Sequence, residues 1–232
     1  MSAAVPEAVL LDLDGTLTDS GPGIMGCVAY ALERMGHPRP SDADLFACVG
    51  PPPSVSFARL LPAPARDDPA RIDEAIALYR ERYVPTGAYE NAVYAGIPES
   101  LARLRAAGHR LVLCTSKPWV TAERICAHFD LARHLDGLYG AELDGVRGDK
   151  TSLIAWVLEQ EGLAPVDAVM VGDREHDAHG AAANGVPALG VTWGYGSAAE
   201  LTAAGCAVLA ERPSELPRAV VAAAERARTP RS

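Results

Sequence analysis

The sequence predicts an α/β fold, a doubly wound parallel sheet interrupted near its start by an all-helical insert. Three observations carry this. The chain opens on a short apolar run, Val9 to Leu11, which ends in Asp12, Asp14 and Gly15. Residues 20–90 then show helical patterns broken by prolines, with no convincing strand, and from Tyr94 onward strands and helices alternate. Such alternation implies a parallel sheet covered by helices on both faces. The expected division is a core of residues 1–19 and 91–232 and a helical domain of residues 20–90.

Taken in order, the apolar run reads as a short buried strand emerging into a turn. Ile24, Val28, Leu32 and Met35 lie at spacings of four, four and three, an amphipathic helix over residues 23–35 that Gly36, Pro38 and Pro40 end. Ser41 to Asp44 is a capping-box pattern for a second helix. The prolines at 51–53 interrupt the chain again, and a third helix over residues 69–84 carries Ile72, Ile76, Tyr79 and Tyr83 on one face. Beyond Tyr94, helices are expected over residues 97–108, 121–129, 150–161 and 177–184, with strands over 109–116, 137–140, 168–172 and 187–193 between them. Ser197 to Glu200 caps a further helix, residues 206–210 form a last strand, and residues 214–227 a closing helix. Residues 228–232 read as a disordered tail.

The composition narrows the function. A net charge of −9 over 232 residues argues against non-specific nucleic-acid binding, which needs a positive surface. No apolar stretch reaches the length of a membrane span, and the start lacks a signal-peptide pattern, so a cytoplasmic protein with no membrane partner is expected, as a monomer or homodimer. Cys27, Cys48, Cys114, Cys126 and Cys206 are scattered without CxxC pairs and read as reduced packing residues. Only two of 21 basic residues are lysines, Lys117 and Lys150. A lysine kept against so strong a preference for arginine suggests chemistry that needs a compact ammonium.

The promising polar groups lie just past apolar strands. Asp12 and Asp14 follow the first strand, Thr115 and Ser116 the second, and Asp173 the strand over 168–172, while Lys150 opens a helix. In a parallel sheet these ends share one edge, so the groups can converge in one cleft. Two close carboxylates repel unless a cation lies between them, and Mg²⁺, which prefers oxygen ligands, is the simplest candidate. The set suits phosphoryl transfer. A carboxylate can attack phosphorus, a second can handle protons, and a metal, an ammonium and a hydroxyl can meet the charge of the transferring group. Singly, each feature has a plainer reading: an Asp-Gly turn at Asp14, a helix cap at Thr115 and Ser116, a solvated helix start at Asp173 and Asp177, an exposed terminal charge at Lys150. Together, in order and at strand ends, they read as one site.

These residues carry a resemblance. DLDGTLTDS (12–20), LVLCTSKP (111–118), GDKTSL (148–153) and VGDREHD (171–177) are similar, in order, to the four motifs of the haloacid-dehalogenase-superfamily phosphohydrolases, nearest the phosphoglycolate-phosphatase-like group. The resemblance implies a Rossmann-like core with a helical cap at residues 20–90, and a Mg²⁺-dependent hydrolase of small phosphorylated metabolites working through an aspartyl phosphate. It makes Asp12 the nucleophile, Asp14 the general acid/base, and Thr115 and Lys150 the phosphate clamps, with Gly15 and Ser116 beside the substrate. Asp173, Asp12 and the Asp14 carbonyl would bind Mg²⁺, with Asp177 supporting the site. The gap of 35 residues from Thr115 to Lys150 leaves no room for the other cap type.

One departure concerns the substrate. Many relatives place an arginine in the loop after a Gly-Pro pair of the cap, whereas here that loop is VGPPPSVSF (49–57) and Arg59 comes later. This argues against glycolate phosphate and against sugar bisphosphates, and so favours a hydrolase over a phosphomutase. A 5′-nucleotidase-like or broad sugar-phosphate phosphatase is the alternative. Rival classes fit less well. The stretch GVRGDKTS (145–152) lacks the glycine that a nucleotide-binding P-loop needs directly before its lysine. A receiver-type signalling domain has about half this length and phosphorylates an aspartate after a later strand, and nothing is missing from the catalytic set to suggest an inactive, partner-binding relative. His176 and His179 lack a third zinc ligand and read as surface or supporting residues, Lys117 as a solvent-facing rim residue, and Trp193 to Ser197 as a strand-to-helix turn.

Overall fold

A computed structural model of the protein describes residues 6–143 and 145–228. The chain forms two compact units, Met1–Thr18 with Val93–Ser232, and Asp19–Ala92.

Strand β1 (Ala8–Leu11) is completely buried, and its alanine, valine and leucines suit a strand covered on both faces. After it, β2 (Thr18–Asp19) leads into the second unit. There α1 (Gly21–Arg34) begins two residues earlier than expected because Pro22 fits the first helical turn, where no backbone N–H is needed. The short α2 (Asp42–Phe46) has Ser41 as its cap, whose hydroxyl accepts the Asp44 N–H at 3.2 Å, as its sequence pattern predicts. Next come α3 (Pro53–Leu60) and α4 (Pro69–Tyr83). Helix α3 corrects the expectation of an interruption and a loop over residues 49–57. Pro53 stands in its first turn, so the proline run starts a helix that buries Phe57. Phe57 meets Tyr79 edge to face at 6.3 Å, and Tyr79 stacks on Tyr83 at 5.0 Å. This aromatic row, with Leu32 and Leu45, is the unit's apolar centre.

The chain returns through β3 (Ala92–Val93), which pairs with β2 in a two-stranded ribbon. It continues through α5 (Ile97–Ala106), β4 (Arg110–Pro118), α6 (Trp119–His128), β5 (Gly137–Ala141) and α7 (Lys150–Glu161). Then follow β6 (Ala168–Gly172), α8 (Glu175–Ala183), β7 (Ala188–Val191), α9 (Ala198–Ala203), β8 (Val208–Ala210) and α10 (Leu216–Arg228). Strand β4 runs two residues beyond its expected end, and α6 starts at Trp119. Arg228 closes α10, where a tail was expected to begin, while residues 229–232 lie outside the described residues.

The large sheet has the order β5-β4-β1-β6-β7-β8, with every neighbouring pair parallel. From β1 the chain reaches β4 and β5 on one side, then crosses back to β6 on the other. Such a reversal opens a crevice at the carboxyl ends of the strands beside it. The register puts Leu11 level with Leu113 and Val171, so the residues that follow each of them come out near one height. Helix α7 covers one face of the sheet with Leu153, Ile154 and Val157, packed among Leu10, Val112, Cys114 and Met170. Burying each such side chain is worth about 1.5–3 kcal/mol. Asp149 caps this helix by accepting the Ser152 N–H at 2.9 Å, and Gly162 ends it in a left-handed turn. The packing and the cap together fix where Lys150 starts.

Candidate active site

The polar residues picked out at the strand ends do converge. Asp12 is the first residue past β1, and its N–H donates to the Val171 carbonyl at 3.0 Å, which ties the strand exit to β6. The chain then folds into a tight turn in which the Leu17 and Thr18 N–H groups both donate to Leu13 O, at 2.9 and 3.0 Å. Gly15 takes a φ of 80° there, and a Cβ on it would overlap the Asp173 carboxylate. The glycine is thus required by its own backbone and by the neighbouring acid.

Lys150 lies at the centre. Its ammonium donates to Asp12 Oδ1 and to the Cys114 carbonyl, both at 2.7 Å, and stands 2.7 Å from Asp177 Oδ1. Asp177 is held from the other side by the Arg174 N–H, which donates to its Oδ2 at 3.2 Å. Asp12, Asp173 and Asp177 offer oxygens within 4.8 Å of one another, and all three are buried. Burial works against the Lys150 charge, but Asp12 and Asp177 outweigh it and hold the ammonium well above the usual lysine range. Asp12 moves the same way. It is pushed up to about 6, chiefly by burial, which outweighs the pull of Lys150, with Asp177 and Asp14 adding to the rise. Asp173 is raised well above the usual carboxyl range by burial and by Asp177 and Asp12. An isolated ion pair would raise the lysine and lower the acid. Here Asp12 and Asp177 share one buried ammonium with Asp173 close by, so burial and the neighbouring acids outweigh the pull of Lys150 on Asp12.

That surplus of negative charge, together with an all-oxygen donor set, fits a hard divalent cation. Asp173 Oδ1 supports the fit, being buried with no hydrogen-bond partner among the described residues. Asp14 sits apart from these three. Its Oδ2 lies 2.8 Å from the Lys117 ammonium, whose side chain is only 7% exposed. This corrects the expectation that Lys117 faces solvent. The two lysines that the arginine-rich composition retains both belong to the site, and that shared rarity was the signal. Thr115 is buried within β4, just past its apolar run, where its hydroxyl accepts the Lys117 N–H at 3.3 Å, and Ser116 beside it is half-buried. His176 and His179 are exposed and take no part. The turn over residues 193–196 does end at a capping serine, Ser197, which accepts the Glu200 N–H at 3.1 Å. It also touches the acids: the Tyr195 N–H donates to Asp173 Oδ2 at 2.7 Å. From its sequence this segment reads as a strand-to-helix turn and nothing more.

Residues 9–191, which include every site residue from Asp12 to Asp177, match the haloacid dehalogenase-like hydrolases. The chain belongs to this family. Among its relatives, a Pseudomonas aeruginosa protein named 5′-nucleotidase is 47% identical over 195 residues, covering 84% of this chain and 86% of its own. A Mycobacterium tuberculosis protein named tyrosine-protein kinase PtkA is 43% identical over 193 residues, 83% of this chain, which spans only 64% of that protein's length. A crystal structure described as a predicted phosphatase from Clostridium acetobutylicum superimposes with a TM-score of 0.87 at 38% identity, covering 94% of this chain and 99% of that one. As in the sequence reading, the five cysteines of this hydrolase are free and buried, and among the described residues no helix is long and apolar enough to cross a membrane.

Proposed function

We propose that this phosphatase of the haloacid dehalogenase-like family hydrolyses small phosphate monoesters, with nucleoside 5′-monophosphates first among them, through an aspartyl phosphate on Asp12. The observation that carries the reading is the position of Asp12, which rests on the Lys150 ammonium and lies among the other acids at the sheet's switch point.

In this mechanism an Asp12 carboxylate oxygen attacks phosphorus as the ester oxygen leaves. Asp14, on the adjoining turn, gives that oxygen its proton and then takes one from the water that attacks the aspartyl phosphate, which frees phosphate and restores Asp12. Lys150 and the Thr115 hydroxyl meet the negative charge of the phosphoryl oxygens. Lys117, 2.8 Å from Asp14 Oδ2, would hold that carboxylate in place. The side chains of Asp12 and Asp173 and the backbone carbonyl of Asp14 would hold Mg²⁺, with Asp177 in support, and the bound ion would offset the charge of the phosphoryl group and the crowded acids.

The helical unit Asp19–Ala92 is the cap in this reading and chooses the leaving group. Arg59, the arginine nearest the proline run, donates to the Asp44 carbonyl at 2.8 Å and so ties α3 to α2. That structural use supports a substrate other than phosphoglycolate, and the likeness to a protein named 5′-nucleotidase supports nucleotides. The buried free cysteines suit the reducing cytoplasm, where the protein works as a monomer or homodimer. The test is a screen of nucleoside 5′-monophosphates, sugar phosphates and phosphoglycolate with Mg²⁺, with Asp12→Asn as control. Turnover is expected, fastest on nucleotides, and it should fall by at least about 10³ in the variant. Near-normal turnover by Asp12→Asn would overturn the nucleophile.

A further inference from the structure

We infer that the turn Trp193–Gly196 is a positioning element for the cation site: it aims Asp173 by holding one carboxylate oxygen and leaving the other for the ion. The inference rests on the reading of Asp173 as a cation ligand.

Asp173 is fully buried, and its two oxygens are treated differently. Oδ2 accepts the Tyr195 N–H at 2.7 Å, while Oδ1 has no hydrogen-bond partner among the described residues. A buried carboxylate oxygen without a donor is costly unless something positive reaches it. The hydrogen bond at Oδ2 fixes the carboxylate's rotation and so sets where Oδ1 points. Outer partners of this kind orient a metal ligand, and their loss commonly weakens metal binding by about 10–100-fold.

The turn is built to keep that hydrogen bond. A Cβ on Gly194 would overlap the Gly15 carbonyl and stand 2.5 Å from the Asp173 carboxylate, and one on Gly196 would overlap the Asp173 carbonyl. Both glycines are therefore used for close approach of the turn to the Asp12–Gly15 segment and to the end of β6. Trp193 adds a second tie, since its indole N–H donates to the Thr16 carbonyl at 3.0 Å. One turn thus holds both acidic segments of the site, the Asp173 carboxylate directly and the Asp14–Gly15 turn through Thr16. A connection that only joined β7 to α9 would need none of these contacts.

Calorimetric titration with Mg²⁺ alone tests this on the wild type, Asp173→Asn, Gly194→Ala and Trp193→Phe, with circular dichroism to establish folding. Asp173→Asn is expected to lose Mg²⁺ binding. Gly194→Ala should weaken it by about tenfold or more, and Trp193→Phe, which keeps an aromatic ring but loses the indole N–H, by about threefold. In both turn variants kcat should recover at saturating Mg²⁺, with the KM for the phosphate ester within about twofold of wild type, a split that general destabilisation would not produce. Wild-type Mg²⁺ affinity in Asp173→Asn would mean that the cation reading itself is wrong. Loss in Asp173→Asn with wild-type affinity in a folded Gly194→Ala would overturn the positioning role alone. If Gly194→Ala does not fold, Trp193→Phe decides, and unchanged affinity there overturns the role.

Discussion

In the unit built on the parallel sheet, Asp12, Lys150, Asp173 and Asp177 are all less than 10% exposed, with Lys150 paired to Asp12 and Asp177 and the three acids clustered, whereas in Asp19–Ala92 the ion pairs are exposed or, for Arg82 with Glu90, part-buried. Arg34 and Glu81, 3.0 Å apart, each leave about half of the side chain in water, and Arg71 with Glu74 is similar. Among the described residues no aspartate, glutamate, lysine or arginine of the helical unit is fully buried. Burying charge costs several kcal/mol per ion unless partners replace the lost water, while exposed pairs contribute little. The difference marks where the molecule bears a cost that stability alone does not explain. It bears that cost at the carboxyl ends of β1, β4 and β6, where chemistry can use it.

Substitutions at the buried cluster should therefore act on turnover and stability together, and those at the helical unit's exposed ion pairs on neither. The largest effect after loss of the nucleophile is expected from Asp14→Asn. On alkyl phosphates, whose leaving oxygen needs a proton, kcat should fall by about 10²–10⁴. On p-nitrophenyl phosphate the first step needs no acid, so the loss there should be confined to hydrolysis of the aspartyl phosphate. An unchanged kcat on alkyl esters would remove Asp14 from its role. Lys150→Met should follow, because it strands Asp12 and Asp177 without their shared ammonium. Urea unfolding should show a loss of about 3 kcal/mol or more, with activity falling alongside it.

The same buried acids should respond to a cation. Asp12 has a folded value of about 6 against an ordinary 3.8, and Asp173 is shifted the same way. A raised acid costs the folded state stability above its folded value and nothing below its unfolded one, so for Asp12 the loss builds as pH rises from about 3.8 to about 6 and is complete above that, and Asp173 adds a loss of the same sign. A bound cation removes that cost. Thermal unfolding should therefore show a larger rise in Tm with Mg²⁺ at about pH 7.5 than at about pH 5. An equal rise at both would separate Mg²⁺ binding from these carboxylates. The smallest effect is expected at Arg34→Ala, which should leave both Tm and kcat unchanged. A marked loss there would break the contrast between the units.

The parts of this site that were legible in the sequence are those set by local order. Asp12, Asp14, Thr115 and Asp173 each sit at or just beyond the end of a short apolar run, and strand β6 and helix α7 have the bounds their sequence predicts. Other features depend on contacts between distant segments. Lys117 sits next to a proline, where a sequence favours an exposed residue, and only the meeting of β4 with the Asp14 turn buries it. The role of Trp193–Gly196 arises from contacts with Thr16, Gly15 and Asp173, far away in sequence. Helix α3 was hidden for a different reason, since a run of prolines ends one helix and also begins another, and composition alone does not distinguish the two.

The proposed hydrolysis depends most on Asp12 carrying the phosphoryl group. Asp14→Asn, mixed with Mg²⁺ and p-nitrophenyl phosphate and quenched in acid within the first turnovers, should yield a peptide phosphorylated on Asp12 by mass spectrometry, together with a burst of p-nitrophenol. Phosphate on another side chain, or steady turnover with neither a burst nor a phosphorylated Asp12, would contradict it.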